Sequence, residues 1–183
     1  MTNALYKLYL KLIHVEYGDK LSLKGLPFIY NPKGASLTIG NNCVIKSSFM
    51  SNLVGLYSRT ILLTRVSGAS IEIGNNVGIS GATIYARSRI VIGSNTNIGG
   101  NTKILDNDFH PVDPGERLKD NKDAIGTLPV HIGENCFIGC NVLILKGSKI
   151  GNNCVVGAGA VVSGSFEDNC VIAGNPAKII KRV

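Results

Sequence analysis

Three histidines mark where this chain could move a proton near neutral pH: His14, His110 and His131. Imidazole has an unperturbed pKa of about 6.5, which suits that task. His110 stands in a polar stretch, Leu105-Asp106-Asn107-Asp108-Phe109-His110-Pro111-Val112-Asp113-Pro114-Gly115-Glu116-Arg117. A carboxylate or backbone carbonyl on one ring nitrogen would fix the tautomer, leaving the other nitrogen to accept a hydroxyl proton. Asp106, Asp108 and Asp113 are the candidates, and the sequence does not choose among them. His131 directly precedes Ile132 and reads as an outward-facing strand residue, while His14 reads as a surface or interface residue. The chain also ends on cations, Lys178, Lys181 and Arg182, and lysine suits phosphate as a point charge. Lys146 and Lys149 are further cations that could face a cleft, on charge alone.

The elements that must position these residues are repeats. Aliphatic side chains recur every six residues at Ile132, Ile138, Ile144, Ile150, Val156 and Val162. The same template runs through Ile92, Ile98 and Ile104, through Ile73, Ile79 and Tyr85, and through Ile39 and Ile45. The following residue is often small (Gly133, Gly139, Gly151), and the residue three after is turn-prone (Asn135, Asn141, Asn153). A period of six fits neither a 3.6-residue helix nor simple hairpins. It predicts a short strand and a tight turn, repeated, with the aliphatic residue inward and Gly or Asn at the corners. Three such units make a triangular coil of about eighteen residues, and coils stack through parallel ladders. Between Ile45 and Ile73 the pattern degrades, which predicts an irregular coil or bulged corner.

Five cysteines are present, and Cys43, Cys136 and Cys154 occupy the small position four after the aliphatic residue. They read as core residues rather than disulfide partners or metal ligands. Cys136 and Cys140 sit at different phases of the repeat and should point different ways, so no shared metal is expected.

The template resembles the hexapeptide-repeat acyltransferases over roughly residues 20–183. The resemblance implies an all-β fold, a left-handed parallel β-helix with a short N-terminal helix and an inserted loop. It also implies a homotrimer, with acetyl-CoA as acyl donor bound between neighbouring subunits. The run His110-Pro111-Val112-Asp113-Pro114 with Arg117 resembles the catalytic loop of the galactoside and maltose acetyltransferase branch, and implies that His110 is the general base. The closing run Val156-Gly157-Ala158-Gly159-Ala160 and Gly174-Asn175-Pro176-Ala177-Lys178 resembles the family's ending. Carried over residue by residue, this implicates Cys140 and Ala158 in backbone contacts to the pantetheine arm. It puts Ser163 near the adenine and Lys178 and Lys181 at the phosphates. The family often has Lys after the residue matching Ser163; Gly164 stands here, which removes one phosphate contact. Backbone N–H groups near Gly139 and Cys140 are expected to polarise the thioester carbonyl.

The single domain divides into an N-terminal helical segment 1–20, a β-helix 21–175 with a loop 105–131, and a basic tail 176–183. Leu5, Leu8, Leu12 and Val15 lie at helical spacing and predict a helix that caps the open end of the β-helix or packs on a neighbouring subunit. Its sparse charge, Lys7 and Lys11, argues against a membrane-surface helix. No signal-like pattern or apolar run of spanning length is seen, so the expected location is cytoplasmic. The net charge of +7 suits an anionic donor, and the lack of aromatic residues among the basic ones argues against nucleic acid.

The expected activity is an acetyl-CoA-dependent transfer to a hydroxyl of a sugar or polysaccharide precursor. Gly81 and Arg87 stand where galactoside-type members bind sugar with Asn and Asp, which points away from a simple galactoside. Lys24-Gly25-Leu26-Pro27 with Ile29-Tyr30 resembles O-acetyltransferases of surface-polysaccharide assembly. The alternatives are an N-acetyltransferase of an amino sugar, an antibiotic acetyltransferase, and a non-catalytic scaffold module. A carbonic anhydrase of this fold is rejected, because the three histidines are wrongly spaced to converge on zinc.

Overall fold

In the computed structural model, which describes residues 3–183, the chain winds as a left-handed parallel β-helix of three sheets. Its strands pair in register from coil to coil. In the first sheet Ile39, Ile73, Ile92, Ile132 and Ile150 stand one above another. In the second sheet Ile45, Ile79, Ile98, Ile138, Val156 and Ile172 do so. In the third, Ile29, Leu62, Ile84, Ile104, Ile144 and Val162 do so. All of these side chains are buried. Each is worth about 1.5–3 kcal/mol when fully buried, and the coils stabilise one another by nearest-neighbour stacking.

Ile84, not Tyr85, fills the inward place in the third coil. The corner at Gly81 is one residue short, so the step from Ile79 to Ile84 is five residues rather than six. Gly81 makes this tight corner at φ 52°, and Tyr85 is turned outward.

The residue two before each inward aliphatic is also buried, which explains the cysteines. Cys43, Cys136 and Cys154 share that place with Val77 and Thr96, and all are buried. The Cys136 Sγ–H donates to the carbonyl of Gly151 in the next coil at 3.1 Å, and Cys154 does the same to Glu167 at 3.2 Å. Burial pushes the Cys136 thiol up to about 11 and raises those of Cys43 and Cys154. All five cysteines are free thiols.

Asparagine makes the corner between the first and second sheets. Asn42, Asn76, Asn95, Asn135, Asn153 and Asn169 all have φ between 54° and 60°, which Asn tolerates at low cost. Their amides stack: Asn42 donates to Asn76 at 3.1 Å, Asn76 to Asn95 at 2.9 Å, and Asn135 to Asn153 at 3.0 Å.

The irregular second coil is a loop over residues 47–60, with a short turn of helix at Phe49–Ser51. It lies along the corner between the second and third sheets, where Leu56 packs over Gly81 and Val54 over Gly100. The N-terminal helix, Asn3–Leu12, caps the first coil, but with a face the leucine spacing does not predict. Tyr6 and Leu10 are buried, whereas Leu5, Leu8 and Leu12 are exposed. The Tyr6 hydroxyl donates to Pro27 O at 2.5 Å and sets the cap on the first coil. Val15 belongs to the first strand, Val15–Tyr17, not to the helix. At the other end Ala177–Arg182 pairs antiparallel with Cys170–Gly174, covering the edge of the second sheet. Among the described residues no helix is long and apolar enough to cross a membrane.

Candidate active site

The polar stretch leaves the helix at the corner between the third and first sheets, after the strand Lys103–Leu105. Asp106 follows in the column of Thr64 and Ala86 and is fully buried. Its Oδ1 accepts from Arg87 N at 2.8 Å, and its Oδ2 from Ser88 N at 2.6 Å. Asn107 Nδ2 donates to the same carboxylate at 3.0 Å. Asp106 therefore fastens the corner of the coil before it.

The two limbs of the loop are zipped at their root. Asp108 N donates to Gly126 O at 3.0 Å, Leu128 N to Asp106 O at 2.9 Å, and Asn107 bridges Thr127. Phe109 turns the chain with φ 63°, and its ring rests against Tyr85 with centroids 4.8 Å apart. His110 N then donates to Asp108 O at 2.7 Å. Asp113 caps the short helix Pro114–Leu118, accepting from Glu116 N at 2.8 Å. Arg117 reaches back to the carbonyls of Pro111 and Val112, both at 2.9 Å, and so braces the segment that carries His110. Hydrogen bonds from Asn121 and Lys119 hold the Glu116 carboxyl below its usual range.

The three aspartates considered as orienters of His110 are all committed elsewhere. Asp106 holds backbone N–H groups, Asp113 caps a helix, and Asp108 accepts from Lys146 Nζ at 2.5 Å. Lys146 comes from the next coil, so its ammonium ties the loop to the stack.

His110 lines a cavity of about 490 Å³ with Arg65, Tyr85, Arg87, Phe109 and Lys122. The corner turns of three successive coils thus converge on one hollow. Sequence reading singled out His110 and Arg87 but missed Arg65 and the two rings. Their signal is position after the third-sheet strand in each coil, legible once coil lengths are known. A larger hollow of about 560 Å³ lies on the second sheet, around Lys24, Lys46, Asn52 and Phe137. It is lined by no histidine or carboxylate, whereas the smaller one has His110 and Asp123.

The remaining candidates divide between two corners. Cys140, half-buried, and Ala158, exposed, stand one above the other where the second sheet turns into the third, and Gly159 N donates to Cys140 O at 2.9 Å. Small side chains leave this backbone open to a ligand. On the closing strand Lys178, opposite Ala173, lies one residue from the position that continues this column, and Lys181, opposite Val171, three residues from it. Tyr57 of the 47–60 loop reaches the same corner from above, donating its hydroxyl to Asn141 Oδ1 at 3.1 Å. Ser163 instead follows the strand Val161–Val162 at the corner that carries the His110 loop. One chain therefore does not bring His110 and the Cys140–Ala158 column together; the third sheet separates them. Gly81 lies under Leu56 at the second corner, away from the His110 cavity. His131 is exposed on the first sheet. Among the described residues no three His, Cys, Asp or Glu side chains group as a metal-binding set.

Comparison with known proteins gives the same repeat. The family described as bacterial transferase hexapeptide (six repeats) matches residues 129–164. The galactoside O-acetyltransferase of Lactococcus lactis is 30% identical over 146 residues, covering 79% of this chain and 62% of that protein. That of Escherichia coli is 35% identical over 117 residues, covering 63% of this chain and 56% of that protein. The chain thus spans about six-tenths of the length of these curated relatives. A mutant of AntD, an N-acyltransferase from Bacillus cereus in complex with dTDP-4-amino-4,6-dideoxyglucose and coenzyme A, superposes with TM-score 0.71 at 25% identity, covering 96% of this chain and 88% of that one. A hexapeptide-repeat acetyltransferase from Vibrio cholerae superposes with TM-score 0.63 at 18% identity, covering 100% of this chain and 81% of that one, a likeness of fold. The repeat, the coil geometry and these likenesses are those of the hexapeptide-repeat transferases.

Proposed function

We propose that the protein is an acetyl-CoA-dependent O-acetyltransferase acting on a hydroxyl of a sugar or polysaccharide precursor, with His110 as general base. The observation that carries this reading is the placement of His110 at the wall of a cavity, on a loop braced at both limbs. Its neutral imidazole accepts the proton of the acceptor hydroxyl as that oxygen bonds to the thioester carbonyl carbon. The carbon–sulfur bond then breaks, and the imidazolium returns the proton to the leaving thiolate. The hydroxyl becomes an ester, and coenzyme A leaves as the thiol.

The donor fits the column of Cys140 and Ala158, with Lys178 and Lys181 near it. Small residues admit the pantetheine arm to the backbone, and the lysines meet phosphate. Backbone N–H groups near Gly139 and Cys140 are the oxyanion donors of this reading. Because His110 and Ser163 occupy a different corner, the complete site forms between two copies in a homotrimer. Ser163 then meets the donor from the copy that supplies His110. The cytoplasm is the compartment of this reading.

Thiol release from acetyl-CoA, followed over a panel of sugars, tests the assignment. His110→Ala should abolish acceptor-dependent release; unchanged turnover would refute it. A second reading, N-acetylation of an amino sugar, is favoured by the likeness to AntD, and product mass with amide-specific fragmentation separates the two.

A further inference from the structure

Resting on that acyl-transfer reading, we infer that the acceptor is an anionic sugar. Its carboxylate or phosphate is held by Arg65 and Arg87, and its ring lies on the Tyr85–Phe109 wall beside His110.

The two arginines begin consecutive turns of one corner. Thr64 pairs with Ala86 in register, and Arg65 N donates to Ala86 O at 2.7 Å. Their backbones are therefore about one strand spacing apart, roughly 4.8 Å. Both side chains line the same cavity, and two like charges brought there repel each other less when an anion joins them. Neither belongs to any ion pair among the described residues; those pairs are Arg89–Glu72, Lys119–Glu116, Lys122–Asp120, Lys146–Asp108 and Arg182–Glu167. Arg87 Nη2 gives one N–H to Lys122 O at 2.6 Å, which anchors the side chain at the cavity. The rest of its fork is left for a ligand, and such forks match the paired oxygens of carboxylate and phosphate.

The charge of the lining points the same way. Lys122 is paired with Asp120, and Asp123 is the one acid among the residues that line the hollow. A site for a neutral sugar needs side-chain acceptors for hydroxyl protons. The lining offers the Asp123 carboxylate, while Asn107 Oδ1 already accepts from Phe109 N at 2.9 Å, so the cations outnumber the open acceptors. The tilted Tyr85 and Phe109 rings offer an apolar surface for the C–H face of a sugar ring.

The test is equilibrium binding by calorimetry on the intact protein without acetyl-CoA. The probes are glucose, glucuronic acid, glucose 1-phosphate and UDP-glucose. At least one anionic probe should bind tenfold or more tightly than glucose, and which one does identifies the anion. Arg87→Gln and Arg65→Gln should each weaken that probe between tenfold and a hundredfold, with circular dichroism unchanged. Glucose binding as tightly as its charged analogues, no binding by any probe, or unchanged affinity in Arg65→Gln overturns the inference. Turnover with the same panel keeps the two readings apart. Anionic sugars that bind but are not acetylated sink the catalytic reading alone. Neutral sugars acetylated independently of the arginines sink the acceptor inference alone.

Discussion

The Asp108 carboxylate and the Lys146 ammonium meet at 2.5 Å, linking the root of the polar loop to the coil that follows it. The pair is a little over a quarter exposed, so solvent screens it only in part. A Cβ at Gly126 would lie 2.5 Å from Asp108 Oδ2 and 3.1 Å from Lys146 Nζ, so a side chain there would have to push this pair aside. Two limbs and a third segment thus converge within two residues of His110.

Lys146→Met should release this clamp without touching the chemistry. We expect kcat to fall about tenfold or more, as misplacement of a catalytic group does. KM for acetyl-CoA should change less than kcat, because the cations proposed to meet the donor phosphates are Lys178 and Lys181, not Lys146. Steady-state kinetics of Lys146→Met beside His110→Ala check this: the His110 variant should lose about a hundredfold or more.

Asp106→Ala should be among the most damaging single changes. It strands the N–H groups of Arg87 and Ser88 and the Asn107 amide in a buried corner. Each orphaned donor costs about 1–3 kcal/mol, so the total should exceed roughly 3 kcal/mol. Urea unfolding measures it, and a loss below about 1 kcal/mol would refute the anchoring role.

The buried thiols predict an alkaline limit. In the fold Cys136 titrates at about 11, against an ordinary 9.0, because burial disfavours the thiolate. The group binds its proton more tightly folded than unfolded. Its contribution is therefore fully present below about pH 9 and is lost as pH rises through about 11. Cys43 and Cys154 shift the same way. Unfolding free energy should be flat to about pH 9 and fall beyond it, and Cys136→Ala should flatten the fall. At pH 8 a thiol reagent should label the half-buried Cys140 before the other four, all of which are buried.

The cap predicts a modest effect at the other end. Tyr6→Phe leaves the Pro27 carbonyl without its 2.5 Å bond and should cost about 1 kcal/mol. Leu10→Ala, in a fully buried site, should cost about 2–5 kcal/mol. Leu8→Ala, on the exposed face, should cost less than about 0.5 kcal/mol. Thermal denaturation of the three variants tests this order.

The β-helix was legible because every coil repeats the same physical demand. An aliphatic residue must point inward on each face, so the period of six is written many times over. The polar loop was legible as the place where that demand stops. Tyr85 misled because Ile84 and Tyr85 are adjacent and both apolar in body, and only the short Gly81 corner decides between them. The helix misled because it is apolar on two faces, so leucine spacing alone does not tell which meets the core. The candidate site was half legible: His110 stands in a marked string, but Lys146 lies 38 residues from Asp108. Arg65 and Arg87 adjoin only through coil lengths that the irregular second coil hides. The separation of His110 from Cys140 and Ala158 likewise depends on which corner each coil assigns to each turn.

The polar loop leaves and returns at one corner, and the coils on either side stack as if it were absent. Ile92 pairs through Ile132, 40 residues on, where Ile73 and Ile92 are 19 apart and Ile132 and Ile150 are 18 apart. Closing the longer ring costs about 0.7 kcal/mol more chain entropy than closing an ordinary one. It is the longest closure in the array; the next, across the 47–60 loop, joins Ile39 to Ile73, 34 residues apart. Folding should therefore spread within two blocks, residues up to Leu105 and residues from Val130, and join them last. The segment that carries His110 would then take its shape only when the two blocks meet, making it a late reporter of the assembled prism.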